Sequence, residues 1–342
     1  MIITKGFLLI VFISALLLAS ICIQKGNIPT VKASVQQGDL VISGNTVYTI
    51  EGRFDINGSI IVEENATLIF KNAVLNFTQA YAFQHNITLK NPAHGHPRLL
   101  VENVLDSSNR AYEMWFYGNS SVSISNFTTA AARLYMWNSS FASISNSAMY
   151  YIYPMHYSLV NMSNSVLSGE IIGTSNSRTY IYNSTINKLW YYYGNPRVWL
   201  VNSTSNIYDI RNQSEVYVCW YLNVHVRDSI SQNVPSANAT ALYPNATVAE
   251  SKLTDASGWA KLTLMEKMKN ATGDYPVGNY TVLATYGVYN NTATLNMTGN
   301  QELTLALGFV IPEFPSFLIP PLFMIATLLA VIAYRKKRID NK

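Results

Sequence analysis

Between Asn119 and Tyr221 apolar and polar positions alternate in short runs, and the runs repeat. Five of them end on an asparagine: Val122-Ser-Ile124-Ser-Asn126, Ala142-Ser-Ile144-Ser-Asn146, Val160-Asn-Met162-Ser-Asn164, Thr179-Tyr-Ile181-Tyr-Asn183 and Val198-Trp-Leu200-Val-Asn202. The asparagines are 20, 18, 19 and 19 residues apart. Val216-Tyr-Val218-Cys-Trp220 continues the series without its asparagine, and Leu68-Ile-Phe70-Lys-Asn72 and Leu99-Leu-Val101-Glu-Asn103 precede it at wider spacing. Period-two alternation predicts strands, and a fixed period of this size marks a solenoid whose repeats bury their apolar faces only by stacking. No helical periodicity lies between the asparagines. The expected fold is all-β: a parallel β-helix over residues 34–221, one coil per repeat.

Strand alternation would put each asparagine on the face of its apolar pair. Asn126, Asn146, Asn164, Asn183 and Asn202 are therefore expected inside, amide bonded to amide along the axis, because a buried amide is tolerated only when paired. The plainer reading takes them as turns and glycosylation sites. Their constant offset from the apolar pair favours the inward ladder.

The remaining text divides around this core. Residues 1–33 open with a lone lysine and an uncharged apolar run, as a secretory signal peptide or an uncleaved apolar segment does. Residues 80–98 break the period and are expected as a loop; His94 and His96 lie there without the acidic or sulfur partners a metal site needs. Beyond Tyr221 alternating strands separated by turn clusters predict a small β-sandwich over 222–308. Residues 309–316 read as a proline-rich stalk, 317–334 as a transmembrane helix of nearly the length a bilayer requires, and the basic tail 335–342 as cytoplasmic.

Three stretches resemble known families. Asp55-Ile-Asn-Gly-Ser-Ile-Ile-Val-Glu-Glu-Asn-Ala-Thr-Leu-Ile-Phe-Lys-Asn-Ala-Val-Leu-Asn-Phe77 resembles the opening coils of pectate-lyase-like right-handed parallel β-helix proteins. Thr254-Asp-Ala-Ser-Gly-Trp-Ala260 resembles the tight turn of carboxypeptidase-regulatory-like (transthyretin- or immunoglobulin-like) domains, which implies a spacer without chemistry. Pro312-Glu313-Phe314, followed by an apolar run and Arg335-Lys-Lys-Arg338, resembles the PEF-type sorting signals of archaeal surface proteins. That resemblance implies processing by an archaeosortase-like transpeptidase.

Composition narrows the function. Charged residues make up only 12% of the chain, and the net charge of +4 comes from its two ends. From Ala33 to Ile311 there are 15 Lys/Arg against 17 Asp/Glu, a balance of −2, so no basic face for nucleic acid is expected. Of the two cysteines, Cys22 lies in the N-terminal apolar run, faintly like a lipidation site, and Cys219 stands alone.

Between residues 104 and 214 the acids are Asp106, Glu113, Glu170 and Asp209, with no close pair or one-coil recurrence to serve a glycosidase or a calcium-dependent lyase. Arg133, Arg178, Arg197 and Arg211 have no acidic cluster to match the lyase pattern, so no catalytic residue, cofactor or metal is assigned. Tyrosine and tryptophan cluster at 112–117, 135–137, 150–157 and 190–193, and at Trp199. They are expected as packing columns inside the solenoid, or, outside, as a stacking platform for sugars.

Seventeen Asn-x-Ser/Thr sequons run from Asn57 to Asn296. Asn86, Asn245 and Asn290 are the expected glycan carriers, while Asn126, Asn183 and Asn202 are expected to be unmodified because inward. The sum is a membrane-anchored, glycosylated cell-surface scaffold, not an enzyme. The alternative is an adhesin binding glycans or envelope proteins through its outer aromatics, and less favoured than either is a polysaccharide-cleaving enzyme.

Overall fold

In the computed structural model, residues 30–90, 95–310 and 319–340 are described. The signal-like run before Thr30, His94 and the Pro312-Glu313-Phe314 motif lie outside them.

The chain winds into a β-solenoid of about nine turns. Each turn contributes to three parallel sheets. The front sheet takes residues 47–51, 67–71, 98–102, 121–125, 141–145, 159–163, 178–182, 197–201 and 215–219 in in-register order. The back sheet runs through Leu40–Ile42, Ile60–Glu63, Asn86–Lys90, Tyr112–Phe116, Ala132–Met136 and Tyr151–Pro154, then on to residues 188–191 and 207–210. A shorter side sheet follows the front sheet around a corner.

Strand Thr30–Gln37 pairs with Val47–Asn57, so the solenoid already includes residues assigned above to the N-terminal segment. Asn86–Lys90 is a full rung of the back sheet and corrects the expectation of a loop over 80–98. The alternation Asn86-Ile-Thr-Leu-Lys90, with Ile87 and Leu89 fully buried, is what builds it.

The lumen is closed by these inward apolar residues: Leu68, Phe70, Leu99, Val122, Ile144, Val160, Ile181, Leu200 and Val216 line its front wall at 0–2% exposure. At about 25 cal/mol per Å² of apolar surface, such columns supply the main drive for stacking coil on coil. Gly173 is small for a reason: a Cβ there would collide with the ring of Tyr191, which fills the lumen and donates to Thr179 Oγ1 at 3.2 Å.

Strand Glu215–Arg227 ends the solenoid and starts the next unit without a linker. Its first half pairs with Arg197–Val201, its length with the antiparallel Trp259–Asn270, and its second half with Gln301–Ala306. A second, antiparallel sheet has the order Val248–Leu253, Asn238–Leu242, Asn279–Tyr286 and Tyr289–Asn296. Leu222, Val224, Leu262 and Leu264 of one sheet and Ala239, Tyr280 and Val282 of the other form one core, so the unit is a β-sandwich. Trp220 packs against both this core and the lumen. The boundary expected after Tyr221 thus falls inside a strand that both units own.

A helix occupies Ile319–Asp340, but among the described residues no helix is long and apolar enough to cross a membrane. This corrects the spanning helix expected over residues 317–334. Within the described helix the uncharged part, Ile319 to Tyr334, is about 24 Å long at 1.5 Å per residue, against a hydrocarbon layer of about 30 Å, and the basic cluster continues the same helix. Phe317 and Leu318 of the expected span lie outside the described residues. Leu322, Phe323, Met324, Ile325, Leu328 and Leu329 are all exposed.

Candidate functional site

The asparagines sit at the corner between front and side sheets, and they point outward. Asn126, Asn146, Asn164 and Asn183 are exposed and Asn202 is half-buried. Their φ angles are 52°, 49°, 49°, 48° and 47°, and Asn72 and Asn103 join them at 49° and 54°. In the first coils the corner is held by Ala33 and by Gly52, whose φ is 73°. The inward expectation failed because a left-handed residue interrupts strand alternation, so parity counted across it assigns the wrong face. Asparagine recurs because, after glycine, it tolerates that conformation best.

The outward amides still meet. Asn126 Nδ2 donates to Asn103 Oδ1 at 2.8 Å, and Asn103 to Asn72 at 3.0 Å. Farther on, Asn183 donates to Asn164 at 3.2 Å, Asn202 to Asn183 at 2.9 Å, and Asn300 of the sandwich to Asn202 at 2.7 Å. Asn146 separates the two runs. A shallow, open groove of about 260 Å³ follows this corner, lined by Asn183, Ser184, Thr185, Asn202, Thr204 and Trp220.

The inward polar column is serine, which the sequence reading missed. Ser147, Ser165, Ser184 and Ser203, each next after a corner asparagine, are 3–5% exposed. Each hydroxyl donates to the carbonyl two residues back, at 2.7–2.9 Å. Each also accepts an N–H from the preceding coil at 3.0–3.1 Å: Phe127 to Ser147, Ser147 to Ser165, Ser165 to Ser184, Ser184 to Ser203. The recurring Asn-Ser dipeptide was the available signal.

The aromatic columns lie on the outside. On the back sheet Trp115, Tyr135 and Tyr153 stack at 4.1 and 4.4 Å with planes within 12°. On the front sheet Tyr180, Trp199 and Tyr217 stack at 4.5 and 5.1 Å. Rings stacked this closely along the axis use their faces on one another and show solvent mainly edges. They act as external packing, worth about 0.5–1.5 kcal/mol per pair beyond area burial, and the central rings, Tyr135 and Trp199, use both faces on their neighbours.

Beside the back column a charged file runs in register through Glu113, Arg133, Tyr151, Glu170 and Lys188. Glu113 accepts from Trp115 Nε1 at 3.0 Å, Arg133 lies over the rings of Phe83 and Tyr151, and Lys188 pairs with Glu170 at 3.4 Å. Burial raises the pKa of Tyr135 and Tyr180, and pushes that of Tyr182 and, with help from Glu215, Tyr217 up to about 12. Arg197 pairs with Glu215 at 2.9 Å, and Arg211 with Asp209 at 2.8 Å. These charges are absorbed in surface pairs. No group of three metal-ligating side chains occurs among the described residues.

Of the expected glycan carriers, Asn245 and Asn290 are exposed and Asn86 is half-buried. Thr88 and Thr247, the hydroxyl residues of two of those sequons, donate to the Asn86 and Asn245 carbonyls at 2.8 and 2.7 Å. With the corner asparagines outward, the reason given for leaving Asn126, Asn183 and Asn202 unmodified no longer holds.

No protein family model matches the chain, and no curated protein does. A solved structure of the Bacillus anthracis TIE protein is similar at 18% identity over 30% of this chain, with a TM-score of 0.22. The chain spans 18% of that protein's length in the match. The fold itself defines the class: a parallel β-solenoid joined to a β-sandwich.

Proposed function

We propose that the protein is an extracellular surface scaffold, exported by its N-terminal apolar segment, attached through its C-terminal helix and N-glycosylated along its length. The observation that carries this reading is strand Glu215–Arg227, which belongs to both cores and joins solenoid and sandwich into one continuous sheet. A rod held this way keeps its length and direction, as a spacer or coat component must. The polar, weakly charged surface fits exposure to the outside, and the apolar side chains of the C-terminal helix call for lipid or protein cover. Within this proposal the coils wind right-handed as in pectate-lyase-like proteins, the sandwich is a carboxypeptidase-regulatory-like spacer, and Pro312-Glu313-Phe314 is a sorting signal. The stacked outer columns do not favour the adhesin reading.

Protease added to intact cells that make the protein should cleave it, and mass spectrometry of the fragments should find glycan on Asn245 or Asn290. A chain that is protected in intact cells and carries no glycan anywhere would overturn the proposal.

A further inference from the structure

One end of the sandwich carries a cluster of exposed apolar side chains that the scaffold reading leaves unused. Tyr286 and Tyr289 flank the turn of the last hairpin of the antiparallel sheet, and both stack on Phe309, at 5.4 and 4.8 Å. Val288, in the turn between them, is 86% exposed, Ile230 57% and Val310 49%. Ile230 belongs to the same end because its neighbour Ser229 donates both N–H and Oγ to the Phe309 carbonyl at 2.9 Å.

Nothing in the described chain covers this cluster, and the chain leaves the sandwich from it. Nine Cα steps separate Val310 from Ile319, so the apolar helix begins within about 30 Å of the cluster.

We infer that this tip is a foot that rests in a lipid interface, with Val288 and Ile230 inserted among acyl chains and Tyr286 and Tyr289 at headgroup level. The inference rests on the surface-attachment reading above and deepens it. Lipid is the occupant the chemistry fits: the cluster pairs aliphatic tips with tyrosines, whose rings are apolar while their hydroxyls remain wet. The neighbouring helix exposes apolar residues that need the same solvent. Asn290 does not conflict, since consecutive strand residues point to opposite faces and Tyr289 is the one turned towards Phe309. A glycan on Asn290 would sit on the flank of the foot.

Full-length protein with Val288→Trp should be mixed with phosphatidylcholine–phosphatidylglycerol vesicles, plain or with brominated acyl chains, and compared with the unsubstituted chain. The added tryptophan is expected to shift to the blue on binding and to be quenched by bromine. Ile230→Asp with Val288→Asp should lower the vesicle-bound fraction several-fold while near-ultraviolet circular dichroism stays unchanged. Protein that sediments with vesicles while the added tryptophan is not quenched would overturn the foot and leave attachment by the helix intact. A blue shift without bromine quenching would overturn it in favour of a second copy covering the tip. No sedimentation at all would overturn the attachment reading and the foot together.

Discussion

The early and late coils turn the same corner in two ways. In the early coils one strand runs through it: Thr67–Phe77, Arg98–Asp106 and Ser121–Thr128 each continue past their asparagine. Backbone pairing resumes at the next residue, Ala73 with Val104 and Val104 with Phe127. In the late coils the strand stops: Phe141–Ser145 gives way to Ala148–Met149, and Arg178–Tyr182 to the strand from Thr185. There the N–H after the corner finds a serine hydroxyl in place of a backbone carbonyl. The asparagine therefore sets the turn, and the residue after it decides how the interrupted ladder is repaired. An apolar residue goes with continued pairing; a serine stands in for the missing carbonyl.

The largest effect is expected where the two modes meet. Phe127 is 1% exposed, and Phe127→Ala should cost about 3–5 kcal/mol through the cavity it leaves, measured by denaturant unfolding. A cost under about 1 kcal/mol would mean that the early lumen can collapse and that apolar packing is not its repair.

Ser184→Ala removes the acceptor for the Ser165 N–H and should cost about 1–3 kcal/mol, since a buried donor is left unsatisfied. If that variant unfolds like the parent, the serine column is incidental and the contrast between early and late coils collapses.

At the corner itself, Asn183→Ala should cost about 1–2 kcal/mol for the left-handed conformation together with lost amide contacts, whereas Asn183→Gly should lose only the contacts. Equal losses in the two variants would show that the outward amide chain, and not the turn, is what the asparagine supplies.

The smallest effect concerns the outer surface at alkaline pH. Tyr182 and Tyr217 have folded pKa values raised to about 12 from an ordinary 10. A raised pKa means the folded chain holds these protons more tightly. Their contribution to stability is complete below pH 10 and is lost as pH rises from there through about 12. Absorbance titration of phenolate should show Tyr182 and Tyr217 ionising near pH 12, above the ordinary value of 10. Ionisation of both near pH 10 would mean that the outer surface around them is not packed.

The one-coil period, the alternating strands and the absence of a helical pattern were legible along residues 122–220, because period-two burial is a local property that a linear reading captures. The rung Asn86–Lys90 was equally legible in its alternation but was hidden by the irregular coil length around it.

Which face the asparagines take was not legible. Parity holds only while the backbone stays extended, and a single residue at φ near +50° resets it. The same reset put Ser147, Ser165, Ser184 and Ser203 inside, where their hydroxyls met N–H groups from another coil. No spacing rule announces a bond between residues 18–20 positions apart until the coils are stacked.

The aromatic clusters were visible as composition. Whether they faced lumen or solvent, and whether their faces were open or used on each other, depended on register between coils. Likewise the sequence marked a change of texture near Tyr221. Only the fold showed one strand there serving two cores, because a strand's partners are chosen across space, by which edges remain unpaired, and not along the chain.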